Sequence, residues 1–497
     1  MSNQEKNLTL HEIEKFHISQ SLQKIKPQQL HRTLGPWTLW GLGVGYVIGG
    51  IYFGWNLGLA AGGSLGMLVA FGVVTLLYVT FVFSYAEMAC AIPKAGGVFD
   101  YAKLGCNTKY AYFAGIAQVV EFLFAPPALA MAVGSYLAPV IAPLIHVGPK
   151  PLAVAALGLV TLLNVRGVKQ AATFELCVAI VSALGLLLFA WMAAPAFQWR
   201  EYVKDGWPHG WFGVFQAMPF AIWFFLGIEG IANVAEECRN PAKDIPRGFG
   251  GALATLIALA AGVMILTVGV AGWQAAVYDT TSMTRAVDGV WNVASNAKPL
   301  DSPLTLVLNH VGTGNSANQI IFHLLGLFGL LASLNGLMLA SGRAIMEMGR
   351  AKCLPVFLGA VHPKCHTPTN ALWFSFIFGT VALLSLDTSK LITWSALGAV
   401  MLYIFSIPAL FGLRRKQPNL PRPYRVPFYP AIPAISLSLA VLCLTAMLAG
   451  NWSERGALAA LTGNGSIVAE FALFWCVVYF TAPRANLSEN YTSHSER

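Results

Sequence analysis

Hydrophobic residues recur along the chain in long segments that short polar segments separate. A helix needs roughly 20 mostly apolar residues to cross a bilayer, and segments of about that length fill the chain between its polar ends. They predict twelve spans, which we number in order: 34–60, 65–92, 110–138, 150–164, 168–195, 214–238, 247–272, 318–348, 370–386, 391–412, 431–449 and 467–482. The two long loops are 196–213 and 273–317. The pattern therefore predicts an all-α polytopic membrane protein, since a membrane β-barrel would show short alternating segments instead.

Composition and the placement of charge agree with this prediction. Hydrophobic residues make up 56% of the chain and charged residues only 11%, whereas a soluble domain carries about 25% charged residues. Of the 31 lysine and arginine residues, 24 lie in tails and loops on one side of the predicted bundle. Basic residues favour the cytoplasmic side, so both tails, 1–33 and 483–497, are predicted to be cytoplasmic, with the chain in the plasma (inner) membrane. The net charge of +9 follows from this asymmetry and requires no nucleic acid partner.

Cysteines and histidines give no sign of a disulfide, a metal site or an enzyme. None of the eight cysteines lies in a predicted outer loop, so no structural disulfide is expected. Cys353, His362, Cys365 and His366 lack the spacing of a zinc site, so neither a metal nor a cofactor is predicted. The sequence has no H-E-x-x-H motif or comparable catalytic constellation, and we predict that the protein is not an enzyme.

Glycine clusters interrupt two spans that are five spans apart. The first cluster is Gly41 to Gly63 in span 1, with the break expected at Ile48-Gly49-Gly50-Ile51, and the second is FFLGIEG, residues 224–230, in span 6. Interrupted segments in matching positions of two halves are typical of inverted-repeat transporters. Backbone groups freed inside a bilayer must face a polar cavity, where carbonyls attract cations and N–H groups attract anions. The two breaks predict a solute site near the middle of the membrane, although glycine in membrane helices more often serves close packing.

Two acidic residues lie inside these apolar spans. Glu229 lies within the second glycine cluster. Glu121 lies near the middle of span 3, in a stretch with no lysine or arginine between Lys109 and Lys150. Ionisable residues within membrane spans are functional by default, and an unpaired carboxylate there needs a partner or a proton. Each acid is thus a candidate for neutralising a bound ammonium or carrying a proton; the alternative for each is a structural acid, hydrogen-bonded within the bundle.

Several motifs resemble those of the amino acid–polyamine–organocation superfamily of secondary transporters. They are the break in span 1, the E-x5-P-x2-G-G run Glu87 to Gly97, the W-x3-G-x-E run Trp223 to Glu229, and the E-E-x-x-N-P-x-x-D-I-P run Glu236 to Pro246. The resemblance covers about residues 34–482 and implies a five-plus-five inverted repeat of the LeuT-like type. Repeat one would be 34–195, repeat two 214–412, and residues 431–482 would add two helices. It also implies alternating access, with Trp223 as a gate over the solute.

Within that superfamily the chain looks most like bacterial ethanolamine permeases, in GYVIGGIYFGWNLGL, VTFVFSYAEMACAIPKAGG and VEFLFAPPALA. Amino acid carriers of the superfamily usually have Gly-Ser/Ala/Thr-Gly at the first break, whose N–H groups hold the substrate carboxylate. Here Ile48 replaces the first glycine, and a β-branched residue restricts the backbone and fills space. A compromised carboxylate pocket suits ethanolamine. Some relatives carry a lysine in span 5 for proton coupling, whereas this chain offers Ser182, so coupling to a proton, to sodium or to neither stays open.

The sequence therefore predicts a permease that imports ethanolamine or a close small amine through the lipid bilayer. The alternative is an amino acid or polyamine exchanger, or a proton symporter, of the same superfamily. A channel is a further alternative, which would need rings of ligands. The residues predicted to bind substrate lie at the two breaks and on facing spans: Tyr46, Gly49, Gly50, Ile51, Glu121, Phe124, Trp223, Phe225, Gly227, Glu229 and Ser333. Glu121 and Glu229 are also the candidates for ion coupling.

Overall fold

The computed structural model of the protein describes residues 34–450, apart from 95, 143, 168–170, 287–288 and 312–315, together with residues 466–481. The predicted cytoplasmic tails, 1–33 and 483–497, lie outside these residues. We call the end of the bundle at which span 1 begins the inner end, and the end that carries the 273–317 loop the outer end.

A helix lies in each of the twelve predicted spans. In order, the helices are Pro36–Tyr52, Leu57–Ala91, Thr108–Ile141, Pro149–Arg166, Ala171–Ala193, Gly210–Trp223 continued by the 3₁₀-helix Ile228–Glu237, Pro241–Ala271, Ser316–Arg350, Thr369–Ser385, Thr388–Lys416, Ala431–Gly450 and Ser466–Thr481. Within the described ranges, eight helical segments are long and apolar enough to cross a membrane. The number of twelve crossings and the inverted repeat stay predictions.

Short elements connect the long helices. Three short α-helices are Val98–Gly105, Trp199–Val203 and Pro303–Leu308. Further 3₁₀ turns are Ala194–Ala196, Gln274–Ala276, Thr280–Ser282 and Val356–Gly359. The 273–317 loop also contains an antiparallel hairpin of strands Met283–Arg285 and Trp291–Val293, in which Thr284 lies opposite Asn292. The short elements between residues 194 and 308 cover the outer end, whereas Val98–Gly105 and Val356–Gly359 follow spans 2 and 8 at the inner end.

Burial distinguishes a central group of helices from an outer ring. Span 3 is buried along most of its length, and so is the helix of span 1 from Gly41 onward. Outer helices instead expose large apolar side chains, among them Trp191 at 68%, Ile377 at 61% and Phe480 at 82%. Apolar side chains that face outward on a helix are suited to contact with lipid. The central spans are thus shielded from lipid by the rest of the bundle.

The helix of span 1 is not broken where the sequence predicted. It runs without interruption from Pro36 to Tyr52, so the prediction of a break at Ile48-Gly49-Gly50-Ile51 is wrong. The interruption lies instead at residues 53–56, where Gly54 has a φ of 83°, so span 1 is interrupted within the predicted range 34–60 but a few residues later than predicted. The next helix then begins at Leu57 and kinks at Gly63, whose φ of 67° lies outside the helical region.

Close packing explains why Gly49 and Gly50 lie in an unbroken part of the helix. A Cβ atom on Gly50 would lie 2.5 Å from the carbonyl oxygen of Trp223, and one on Gly49 would lie 2.8 Å from the Ser333 hydroxyl oxygen. Real Cβ atoms do not approach other atoms so closely. Glycine at these positions therefore lets spans 6 and 8 pack directly on the backbone of span 1.

The break in span 6 is confirmed. The first half of the span ends at Trp223, residues 224–227 form a turn, and a 3₁₀-helix runs over Ile228–Glu237. Gly227 has a φ of 94°, a conformation that a side chain disfavours, and a Cβ there would also lie 2.8 Å from Leu337. This glycine allows the backbone to turn inside the bundle.

Candidate functional site

Trp223 connects the irregular segments of spans 1 and 6. It is the last residue of the first half of span 6, and its indole Nε1–H donates to the carbonyl oxygen of Phe53 at 2.9 Å. Phe53 begins the turn that follows the span 1 helix, so the indole satisfies a carbonyl that has left regular structure. The Trp223 carbonyl in turn lies against Gly50. The residue predicted to be the gate therefore lies where the two interrupted segments meet.

Glu121 and Glu229 face each other in the interior of the bundle. Their exposed fractions are 0% and 1%, and their carboxyl groups come within reach of one another and of the Gly227 backbone amide. Neither Glu121 oxygen makes a well-formed hydrogen bond within the described part of the chain. We call these two groups the carboxyl pair. The structure thus brings together two acids that lie 108 positions apart in the sequence.

No cation neutralises the carboxyl pair within the described residues. The ion pairs found there involve Glu87, Glu201, Glu237 and Glu347, and neither member of the carboxyl pair takes part. Burying a charged group without a partner costs several kcal/mol. The pair therefore requires either protons or a positively charged guest.

Two tyrosines that the sequence analysis did not single out hold Glu229. The Tyr403 hydroxyl lies 3.2 Å from Oε2 of Glu229 and 2.8 Å from the Tyr78 hydroxyl. Tyr78 donates to the carbonyl oxygen of Ile222 at 3.3 Å, one residue before the first half of span 6 ends. Both tyrosines are fully buried. Spans 2 and 10 thus contribute a line of hydroxyl groups from the carboxyl pair to the broken helix.

Ser333 of span 8 is engaged with the backbone of span 1. Its hydroxyl donates to the Gly45 carbonyl at 2.6 Å and accepts from the Gly49 amide at 2.9 Å. In an uninterrupted α-helix these two backbone groups pair with each other. A side chain inserted at such a pair is a known cause of helix distortion. The Gly49 N–H is therefore already engaged by the hydroxyl and is not available to an anion.

Aromatic rings fill the space around the break in span 6. Phe225 lies 5.2 Å from the Tyr78 ring and 5.7 Å from the Phe71 ring. Tyr46 packs against span 6 and span 8, since a Cβ on Gly230 or Gly336 would meet its ring.

Ile51 is fully buried, as are Phe225 and Glu121, and Trp223 is 2% exposed. Phe124 lies apart from this group and packs on Phe378 and Trp394, at ring distances of 5.2 and 5.5 Å. The predicted binding residues other than Phe124 thus surround a closely packed centre.

The outer end is closed over this centre. The Gly54 amide donates to the carbonyl of Asp301 at 2.8 Å, and the Asn56 amide group donates to the carbonyls of Ala276 and Leu300, both at 2.7 Å. All three carbonyls belong to the 273–317 loop. The Asp301 carboxyl is itself enclosed, and burial raises its pKa above the ordinary value. The loop thus holds the turn that follows span 1.

The inner end is closed by an ion pair. Glu87, at 1% exposure, accepts two hydrogen bonds from the Arg414 guanidinium, at 2.8 and 2.6 Å, and a third from the Val426 amide at 2.7 Å. Arg422 adds its charge at 3.6 Å from the same carboxylate. Bidentate arginine–carboxylate hydrogen bonds are strong, and they fix the relative orientation of the two side chains. This cluster ties the end of span 2 to the end of span 10.

A second inner contact joins spans 1 and 6. The Leu34 amide donates to the Glu237 carbonyl and the Arg239 amide donates to the Leu34 carbonyl, both at 2.9 Å. Arg343 of span 8 lies 3.6 Å from the Glu237 carboxylate. Both ends are therefore closed in this structure, and the carboxyl pair is sealed between them.

A substitution at Gly50 should block the approach of span 1 to span 6. In Gly50→Ala the new Cβ would meet the Trp223 carbonyl, which cannot move without shifting the break. Overpacking costs about 1–3 kcal/mol, so we expect uptake to fall by about tenfold. Gly72→Ala is the matched control, because nothing lies within 4 Å of a Cβ there. Initial uptake rates in cells, normalised to protein in the membrane, measure the effect; equal rates for both variants would contradict it.

The sequence is similar to transporters over most of its length. The profile of the family described as amino acid permease matches residues 34–481. An uncharacterised transporter of Rhizobium meliloti (strain 1021) is 31% identical over 431 residues, 85% of this chain and 87% of that protein. The branched-chain amino acid permease BcaP of Bacillus subtilis (strain 168) is 28% identical, over 86% of this chain and 89% of that protein. The methylthioribose transporter of the same strain is 27% identical, over 86% of this chain and 91% of that protein.

A solved structure shares the fold. Mhp1, a nucleobase-cation-symport-1 family transporter in a closed conformation with bromovinylhydantoin bound, superposes with a TM-score of 0.55 over 92% of this chain and 97% of its own. The sequences are 14% identical, so the likeness concerns the LeuT-like fold alone. The family match and the relatives identify a multi-pass membrane transporter and not an enzyme. The chain belongs to the amino acid permease family of secondary transporters.

Proposed function

We propose that this protein imports a small solute that carries an ammonium group, by alternating access, across the cell membrane. The observation that carries the proposal is the carboxyl pair of Glu121 and Glu229, buried together without a cation in the described residues. An ammonium group supplies the charge and the hydrogen-bond donors that two carboxylates lack. Trp223 and Phe225 would line the same space and attract an alkylammonium group with their rings.

Amino acids are the first class of substrate to consider. The names of the relatives include a branched-chain amino acid permease and two cationic amino acid transporters of Arabidopsis thaliana. An amino acid presents its ammonium to the carboxyl pair as any amine does. The alternative of an amino acid permease or exchanger thus has more support from the comparisons than the ethanolamine reading has.

Ethanolamine or a close small amine is the second candidate, because of the backbone of span 1. Ile48 lies inside a continuous helix, and the Gly49 amide already donates to Ser333. A substrate carboxylate would therefore have to displace the Ser333 hydroxyl before it could bind that N–H group. A solute that has an ammonium and a hydroxyl but no carboxylate avoids this cost.

The closed ends suit alternating access. The 273–317 loop covers the outer end, and the Glu87 cluster and the Leu34–Glu237 contact close the inner end. Release of one end at a time would expose the carboxyl pair to one side. In this proposal both termini are cytoplasmic, the two repeats move against each other, and Trp223 acts as the outer gate. The coupling ion is a proton or sodium.

Uptake into proteoliposomes tests the proposal and separates the two candidates. Labelled ethanolamine and labelled L-alanine are offered separately, each with unlabelled ethanolamine, L-alanine, putrescine or choline as competitor. Saturable uptake of either label that another ammonium compound inhibits supports the proposal. Inhibition by L-alanine without inhibition by ethanolamine selects the amino acid class, and the reverse selects ethanolamine. Failure of every ammonium compound to enter or compete, or single-channel conductance in planar bilayers, would overturn it.

A further inference from the structure

We propose that the ammonium group and a proton compete for the carboxyl pair, so that the protein exchanges one proton for each amine bound. This inference rests on the proposed function and adds the direction of proton movement to it. Import of an amine would then be linked to proton movement in the opposite direction, as in an antiporter. Three features of the described residues support it: the enclosure of the pair, the hydrogen-bond chain behind it, and the charge balance.

Because the carboxyl pair is buried without a cation in the described residues, it should hold a proton when no amine is bound. Glu121 and Glu229 are 0% and 1% exposed, and no lysine, arginine or histidine of the described chain lies within ion-pair distance of either. Two carboxylates that face each other in an apolar interior repel and cannot both stay ionised. The nearby Gly227 amide provides only a partial positive charge. A proton shared by the pair removes the repulsion while the site is empty.

The hydrogen-bond chain behind the pair contains one hydrogen too few if Glu229 is ionised. Three contacts join Glu229 to Tyr403, Tyr403 to Tyr78, and Tyr78 to the Ile222 carbonyl. Two tyrosine hydroxyls supply only two hydrogens, and a carbonyl supplies none. If Glu229 carries a proton, it donates to Tyr403, Tyr403 donates to Tyr78, and Tyr78 donates to Ile222. Every contact is then a proper hydrogen bond, which favours a protonated Glu229 in this closed arrangement.

Charge balance makes the exchange favourable. The empty pair with one proton has a net charge of about −1. When an ammonium enters, the proton leaves to solvent, and two carboxylates then surround one positive charge. The net charge of the site is the same before and after, so the interior gains no extra charge. Keeping the proton with the ammonium bound would instead remove one of the two carboxylates that hold the guest.

Among the described residues, the titratable side chains that face the pair include no other group that exchanges protons near neutral pH. They are Tyr78 and Tyr85 of span 2 and Tyr403 of span 10, with Cys443 beyond Tyr78. Tyrosine and cysteine in water titrate at about 10 and 8.5. Aliphatic amines similar to lysine stay protonated below about 10. Between pH 6 and pH 8, proton release on binding would therefore come from the carboxyl pair and not from the solute.

Proton release on binding is the decisive measurement. The purified full-length protein is titrated with ethanolamine, L-alanine and putrescine at pH 6, 7 and 8, by calorimetry in buffers with different ionisation enthalpies. We expect about one proton released per amine bound, with an affinity that rises by up to tenfold per pH unit. In proteoliposomes, an acidic interior should then accelerate amine uptake.

The outcomes separate this inference from the proposed function. Binding of an amine with no proton release and no change of affinity with pH would overturn the exchange and leave the proposed function standing. No binding by any of the three probes would overturn both. The variant Glu175→Gln is a matched control, since it removes another buried acid, in span 5, that packs against Gly45. It should release protons as the unaltered protein does, whereas Glu229→Gln should bind with little dependence on pH.

Discussion

Glu121→Gln is expected to weaken the binding of a cationic amine by about ten- to a hundredfold and to leave the protein folded. Glutamine has nearly the same shape but no charge, and hydrogen bonds to charged groups are worth about 1.5–3 kcal/mol. Glu121 lies against Glu229 with no other charged partner in the described chain, so its carboxylate would be free to hold the guest. Equilibrium binding of ethanolamine and L-alanine to the purified variant measures the loss.

Glu175→Gln again provides the control for this substitution. Both acids are almost fully buried in membrane helices, but Glu175 packs on the backbone of span 1 at Gly45 and not on the carboxyl pair. Its affinity for amines should stay within about threefold of the unaltered protein, which is the scale of a ±0.5 kcal/mol change. If Glu121→Gln also binds normally, Glu121 is a structural acid, which is the alternative that the sequence left open.

Helix positions could be read from the sequence because lipid imposes a simple rule. Each long apolar stretch must satisfy its own backbone hydrogen bonds, so it forms a helix. The break in span 6 could also be predicted, since Gly227 and Gly230 flank an acid in FFLGIEG and the structure turns there. The interruption of span 1 was predicted but misplaced, because the turn lies at residues 53–56 and follows a helix that ends at Tyr52.

The sequence could not show whether Gly49 and Gly50 unwind the helix of span 1 or allow close packing against it. Glycine serves both to unwind a helix and to let another backbone approach it, and both uses leave the same residue type in the chain. Gly49 and Gly50 serve the second use, against Ser333 and the Trp223 carbonyl. Only the position of spans 6 and 8, which are far away in the sequence, decides between the two.

The composition of the site was only partly predictable for a similar reason. Both acids were evident, because charge is rare in apolar spans. Their contact was not, since nothing local relates position 121 to position 229. Tyr78 and Tyr403 gave a weak signal: tyrosine is common in membrane helices, and its hydroxyl matters only where a partner such as Glu229 faces it. Likewise, nothing local relates Glu87 to its partners Arg414 and Arg422.

Arg414→Leu is expected to destabilise the protein by about 2–4 kcal/mol, because it leaves the buried Glu87 carboxylate without its main partner. Arg422 at 3.6 Å and the Val426 amide compensate only in part. Arg415→Leu is the matched control: it removes the same charge from the next position, where the side chain is exposed. Thermal unfolding of both variants in the same detergent measures the difference.

The double variant Glu87→Gln with Arg414→Leu distinguishes loss of an ion pair from loss of packing. Arg414 also lies over the Tyr429 ring, 3.7 Å from its centroid, so leucine removes that contact as well. If the unpaired carboxylate causes the loss, its removal by Glu87→Gln should recover part of the stability, since replacing both members of a buried pair costs less than replacing one. A double variant that unfolds at the same temperature as Arg414→Leu would assign the loss to packing on Tyr429. An Arg414→Leu protein as stable as Arg415→Leu would show that the Glu87 cluster does not hold spans 2 and 10 together.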